Sequence, residues 1–220
     1  MGKHKRKGSG FSADKPAAAP KLQNTKSSAD QAAKEQQAVE LINQSKLQEA
    51  EAIYRELIST GTSNHIVYAN LAALCGMQGN FDEVIKLLRQ VLELKPNLPD
   101  AHINLGMALK QQDNLDAAIA SYTKALQLKH NSPDAHYNPG IAFKDQGDLD
   151  AAIVSYNKAL QLKPNFPDAH NNLGIALKEQ GDIDAAIACY NKALQLKPNF
   201  LDAHINLGNA LKQQGDLTAA

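Results

Sequence analysis

From residue 99 onward the chain repeats itself every 34 residues, and that period constrains the fold more than any other feature. Residues 133 to 166, "PDAHYNPGIAFKDQGDLDAAIVSYNKALQLKPNF", and residues 167 to 200, "PDAHNNLGIALKEQGDIDAAIACYNKALQLKPNF", agree at 27 of 34 positions. Residues 99 to 132 follow the same template. Two looser copies come first: residues 65 to 98 keep Asn70, Leu71, Phe81, Ile85 and Pro96, and residues 31 to 64 keep Ala38, Leu47, Ala50 and Tyr54. An incomplete copy occupies residues 201 to 220.

Each copy divides into two helical halves. Over Asp168 to Gln180, Leu173, Ala176 and Leu177 share one helical face, and Gly181-Asp182 supplies a turn and an N-cap. Over Asp184 to Lys197, Ile187, Tyr190 and Leu194 recur at i, i+3 and i+7, and Pro198-Asn199 ends the run because proline cannot continue the hydrogen-bond ladder. The unit is an antiparallel helical hairpin. One hairpin cannot cover its own apolar face, so successive hairpins must stack into an open solenoid. Gly106, Gly140, Gly174 and Gly208 each cost about 1 kcal/mol inside the first helix, which calls for a packing reason. Close approach of a second helix presenting Ala118, Ala152 and Ala186 is expected.

The motifs "NLG", "GD", "AA", "Y", "KAL" and "KPN", in that order and period, resemble the tetratricopeptide repeat (TPR), over residues 31 to 220 and most closely over 99 to 220. The fold this implies is all-α, a right-handed superhelical solenoid of antiparallel helix pairs. His102, His136, His170 and His204 stand where that family often carries a bulky residue. The combination "DAH", Asn, "LG", "LK" and "ALQLKPNF" is further similar to the repeat arrays of O-linked N-acetylglucosamine transferases and of bacterial TPR proteins bearing glycosyltransferase or sulfotransferase domains. In those transferases an asparagine ladder lines the inner groove and holds substrate backbone. The matching positions are Asn70, Asn104, Asn138, Asn172 and Asn206, and the resemblance ends with the array.

The residues themselves support a groove role for this column. Asparagine is mildly unfavourable within a helix, yet a carboxamide both donates and accepts, so an outward-facing column can bond a peptide backbone without reading its side chains. With repeats about 10 Å apart and an extended chain advancing ~3.3 Å per residue, each Asn would meet about every third peptide residue. The competing reading has the same Asn residues bridging neighbouring helices. Lys110, Lys144, Lys178 and Lys212 either add a basic stripe for acidic peptide groups or simply end their helices in solvent, where the dipole favours cations.

No catalytic, metal or cofactor site emerges. The four histidines lie about a repeat apart, too far to share one zinc ion, and are expected to fill gaps between repeats. "SYTK" at 121 to 124 and "SYNK" at 155 to 158 match S-x-x-K through duplication, without the companion motifs.

Residues 1 to 30 read as a flexible arm carrying a net charge of +5, with Lys3, His4, Lys5, Arg6 and Lys7 clustered. Such a run could touch RNA, acidic lipid or an import receptor, but a solvated tail is the plainer reading, so a nucleic-acid partner is not expected. The formal net charge of +0 gives no overall field toward nucleic acid or membrane. No apolar run approaches a membrane span, and Arg6 stands where a myristoylation signal has Ser or Thr. Isolated Cys75 and Cys189 suit a reducing compartment, so a cytoplasmic location is expected.

Two departures stand out. Pro139 replaces the leucine of Leu105, Leu173 and Leu207, which predicts a kinked or broken helix with Asn138 pointing out of line. The helix from Asp202 to Gln214 should dock on the preceding repeat and turn into a partner helix cut off after about one turn at Ala220, leaving Leu207 and Leu211 partly open to fraying or self-association. The functions implied are a non-enzymatic scaffold for protein or peptide partners, or the substrate-recruiting front of a transferase whose catalytic domain lies elsewhere.

Overall fold

The computed structural model describes residues 23 to 218, all-α, with eleven helices packed as successive antiparallel pairs. They are α1 (Gln23–Asn43), α2 (Leu47–Ser59), α3 (His65–Met77), α4 (Phe81–Leu94), α5 (Pro99–Gln111) and α6 (Leu115–Leu128). The chain continues through α7 (Pro133–Gln146), α8 (Leu149–Leu162), α9 (Pro167–Gln180), α10 (Ile183–Leu196) and α11 (Leu201–Thr218). The boundary expected at residue 30 falls inside α1, and the basic cluster Lys3 to Lys7 lies outside the described residues.

Local chemistry sets the helix ends. Pro99, Pro133 and Pro167 open their helices at the position where a missing N–H costs nothing. The side chains of Asn80, Asn114, Asp148 and Asp182 accept from a backbone N–H in the first turn of α4, α6, α8 and α10. Gly147 and Gly181 make the turns before α8 and α10 at φ of 87° and 99°, in the left-handed region glycine tolerates. Asp113 occupies the equivalent place at φ 57°.

Each helix packs on the one before and the one after it, and α5, α7, α9 and α11 also touch one another in succession. The odd-numbered helices therefore form the inner wall of the stack. In three of the hairpins a tyrosine ring packs against a glycine of the partner helix. A Cβ added at Gly106, Gly140 or Gly174 would lie 2.5, 2.7 or 2.7 Å from Cε1 of Tyr122, Tyr156 or Tyr190. These tyrosines are almost wholly buried. The glycines thus make room for an aromatic ring, rather than for Ala118, Ala152 and Ala186 as the sequence suggested. Those alanines are also buried, but the ring is the larger body and sets the spacing.

Two expectations are corrected. α7 runs unbroken through buried Pro139, although the carbonyl of Ala135 receives no bond from that position. The surrounding packing holds the helix, and the buried apolar cluster that runs from Ala38 to Ala142 gives way at α7 to smaller clusters beyond. α11 continues straight through Gly215 to Thr218, with no turn. Among the described residues no following helix folds back on α11 to favour a left-handed glycine there, as α8 and α10 do at Gly147 and Gly181.

The glycine contacts predict opposite effects for one substitution. Gly174→Ala should lower stability by about 1 to 3 kcal/mol through overpacking, despite alanine's better helix propensity. Gly208→Ala, where a Cβ would meet nothing within 4 Å, should raise it by up to about 1 kcal/mol. Urea unfolding followed by circular dichroism measures both.

Candidate functional site

The inner wall carries the asparagine column, and its five members are not equivalent. Asn70 donates from Nδ2 to the hydroxyl of buried Tyr54 on the preceding helix, at 3.1 Å. Asn172 and Asn206 stand in the same relation to Tyr156 and Tyr190, but turn elsewhere. Asn206 donates to Asn171 Oδ1 at 3.0 Å, Asn171 to Asn172 Oδ1 at 3.4 Å, and Asn172 to the Tyr137 hydroxyl at 2.8 Å. This chain of carboxamides crosses α11, α9 and α7. The hydroxyls of Tyr156 and Tyr190 are left buried without a hydrogen-bond partner among the described residues. Burial pushes the Tyr190 phenol up to about 12, so it stays neutral.

Among the described residues Asn104 and Asn138 make no such bridges. The residue one repeat back and one place earlier, which is Tyr137 for Asn172 and Asn171 for Asn206, is Ala69 for Asn104 and Ile103 for Asn138. Neither can accept from a side chain. Asn104 is exposed and Asn138 half-buried, and both line a cavity of about 460 Å³ between α5 and α7 that also holds Met107, Tyr137 and Phe166. Asn138 is therefore not turned aside by Pro139. Tyr137 stacks obliquely on Phe166 with centroids 4.8 Å apart, and burial raises its phenol to about 12. The bridging reading thus describes Asn172 and Asn206, and the outward-facing one describes Asn104 and Asn138.

The lysines divide in a similar way. Lys110 and Lys144 sit 3.7 and 3.0 Å from the Asp145 carboxylate. Half-buried Lys178 and exposed Lys212 pair with no carboxylate among the described residues. The lysine series is therefore partly neutralised at its α5–α7 end and open toward α11.

The histidine column has a more specific task than filling gaps. His102, His170 and His204 place Nε2 at 2.9 Å from the carbonyls of Pro96, Pro164 and Pro198, and His136 stands 3.0 Å from that of His130. Each ring closes the turn leading into its own helix, which occupies Nε2 as a donor. His130, standing in for proline, turns Nδ1 to the Leu126 carbonyl at 2.8 Å. In the S-x-x-K match, Ser121 donates to the Ala117 carbonyl and Lys124 to Gln127, so the two are not paired. Burial pushes the Cys189 thiol up to about 11, away from the reactive thiolate.

A second ladder escaped the sequence reading. Gln112, Gln146, Gln180 and Gln214 donate to Asp82, Asp116, Asp150 and Asp184, each thirty residues earlier, at 2.5 to 2.7 Å. Each bond ties the end of an odd helix to the first turn of the preceding even helix. The signal was present, since Asp and Gln recur at that offset from Asp82 to Gln214, although Gln48 precedes Gln78 in the first copy. Two facts about the outer features complete the site. Leu201, Ile205 and Leu211 of α11 are 68, 53 and 48% exposed, while Leu207 packs against the cluster around Ala186 and Tyr190. Among the described residues no helix is long and apolar enough to cross a membrane.

Stacked hairpins with this inner wall are the architecture of helical repeat proteins built for contact with other chains. The family model for the TPR repeat matches residues 77–113, 106–147, 140–181 and 176–215, and the chain belongs to that family. Among solved structures it is similar to MamA, at 25% identity and TM-score 0.70 over 73% of this chain and 94% of that one. It is also similar in fold to YrrB, described as a TPR protein with an unusual peptide-binding site, at 19% identity and TM-score 0.69 over 84% of this chain and 97% of that one. PilW, described as a type IV pilus biogenesis factor, shares the fold at 21% identity and TM-score 0.70, over 86% and 92%. No curated protein sequence matches the chain.

The division within the column predicts different stability costs. Asn70→Ala strands the buried Tyr54 hydroxyl and should cost about 1 to 3 kcal/mol. Asn104→Ala removes an exposed, unbridged amide and should stay within about 0.5 kcal/mol of the parent. Equilibrium unfolding in urea separates the two.

Proposed function

We propose that this chain is a non-catalytic scaffold whose inner wall grips extended segments of partner proteins. The observation that carries the reading is the pair Asn104 and Asn138, two adjacent members of one column that no neighbouring side chain engages, facing a shared cavity with an aromatic floor. A peptide laid along the wall would exchange backbone hydrogen bonds with these carboxamides and set side chains against Met107, Tyr137 and Phe166. Asn70, Asn172 and Asn206 extend the column but must break a bond to reach a ligand. Lys178 and Lys212, unlike Lys110 and Lys144, are placed to attract acidic groups toward α11. The likeness in fold to YrrB, a protein described by its peptide-binding site, supports the same class of function.

The finer resemblance, to the substrate-recruiting arrays of O-linked N-acetylglucosamine transferases, rests on the same column and on "ALQLKPNF". The similar structures reported above are TPR proteins of other kinds. Self-association is a second reading, favoured by the exposed Leu201, Ile205 and Leu211 of α11.

Peptides selected on the full chain from a random display library provide the test, with affinities measured by calorimetry. The Asn104→Ala/Asn138→Ala double variant should bind at least about tenfold more weakly, the loss of two or more hydrogen bonds, with its helical spectrum unchanged. Unchanged affinity would remove the groove assignment.

A further inference from the structure

The tyrosine register of the even-numbered helices has one exception. Tyr54, Tyr122, Tyr156 and Tyr190 recur at 34-residue spacing with a gap at residue 88, which is leucine. Leucine is shorter than tyrosine, and at that place the stack opens. A cavity of about 290 Å³ lies between α3, α4 and α5, with Leu88, Phe81 and Val84 as its floor and Ala72, Ala73 and Met107 among its walls. Asn104 stands at its rim. Leu88 offers Asn104 no hydroxyl of the kind that Tyr54 offers Asn70 at 3.1 Å. At this place an apolar space and an unbridged carboxamide lie side by side.

Resting on the peptide-groove reading above, we infer that this cavity is a specificity pocket for one uncharged apolar side chain, such as Leu, Met or Phe, of a bound partner peptide. Size fits the occupant: an apolar void of ~150 Å³ already accepts benzene. Charge fits as well. None of the side chains lining the cavity is ionisable, so a Lys or Glu entering it would lose its hydration without gaining a counter-charge. Position fits the groove, since Asn104 and Met107 line both this cavity and the neighbouring one that holds Asn138. The apolar anchor would set the register of the peptide, and the Asn104 amide would bond the backbone next to it. The equivalent cavity of the first repeat, about 270 Å³ and lined by Tyr54 and Asn70, is also lined by the ionisable Glu35, so it does not share the wholly uncharged lining.

Peptides selected from the random library on the full chain should share one apolar position. Leu88→Tyr combined with Ala72→Gly, which would seat the ring as Gly106 seats that of Tyr122, should fold, narrow the space and offer Asn104 a hydroxyl. It should weaken the selected peptides at least about tenfold and erase the apolar preference on reselection. Leu88→Phe fills the space without the hydroxyl, and exposed Ala73→Phe plugs it from the rim without entering the core; both should erase the same preference. Selected peptides that lack a shared apolar position, or keep it on all three variants, would overturn the pocket while leaving the groove reading intact. Failure to select any peptide would overturn both. A change in the mass of the free chain on Leu88→Tyr/Ala72→Gly, by light scattering, would place a second copy in the cavity and overturn the peptide as its occupant.

Discussion

The tyrosine ring seated on a helical glycine is the contact on which the rest of this structure depends. It fixes how closely the two helices of a hairpin approach, and Gly106, Gly140 and Gly174 admit it by presenting no Cβ. The ring fills the space between its own hairpin and the next odd helix, so it also decides what the asparagine column can reach. Where the hydroxyl meets Asn70 the column is tied inward. Where leucine stands in the place of the ring, at Leu88, an apolar cavity lies beside the unbridged Asn104.

The hydrogen-bond ladders add direction to this packing. From α5 onward Gln–Asp bonds clip each odd helix to the preceding even one on the exposed side, and histidines close the turns between repeats. Each bond is worth little alone, about 0.5 to 1.5 kcal/mol, but the same bond recurs once per repeat, so register propagates along the stack. Against this regular frame the inner wall is irregular. Asn172 and Asn206 join repeats to one another, while Asn104 and Asn138 face a cavity. A solenoid whose ends are bonded and whose middle presents amides and apolar space has a localised binding stretch, rather than one spread evenly along the wall.

Much of this was legible in the sequence. The period, both helices of each unit, the Gly-Asp turns and the proline stops follow from local chemistry that acts within a few residues. The role of the glycines was half-legible: close packing was implied, but the partner is a side chain sixteen residues on, which no local rule identifies. The division of the asparagine column depends on the residue before the preceding asparagine. Tyr137 and Asn171 can accept a bond and Ala69 and Ile103 cannot, a difference that becomes meaningful only once adjacent repeats are placed side by side. The unbroken α7 reflects packing that outweighs the loss at Pro139, and the straight α11 reflects a turn that needs a packed second helix.

The central claim is that the five asparagines are two kinds of residue, and side-chain amide NMR measures this directly. Hydrogen exchange at the Asn Nδ2 groups should be slow at Asn70, Asn172 and Asn206, which are bonded within the protein, and fast at Asn104 and Asn138. On adding a selected peptide, the last two should slow and shift most. Five amides exchanging alike, or a peptide that perturbs Asn172 and Asn206 but leaves Asn104 and Asn138 unmoved, would contradict the account.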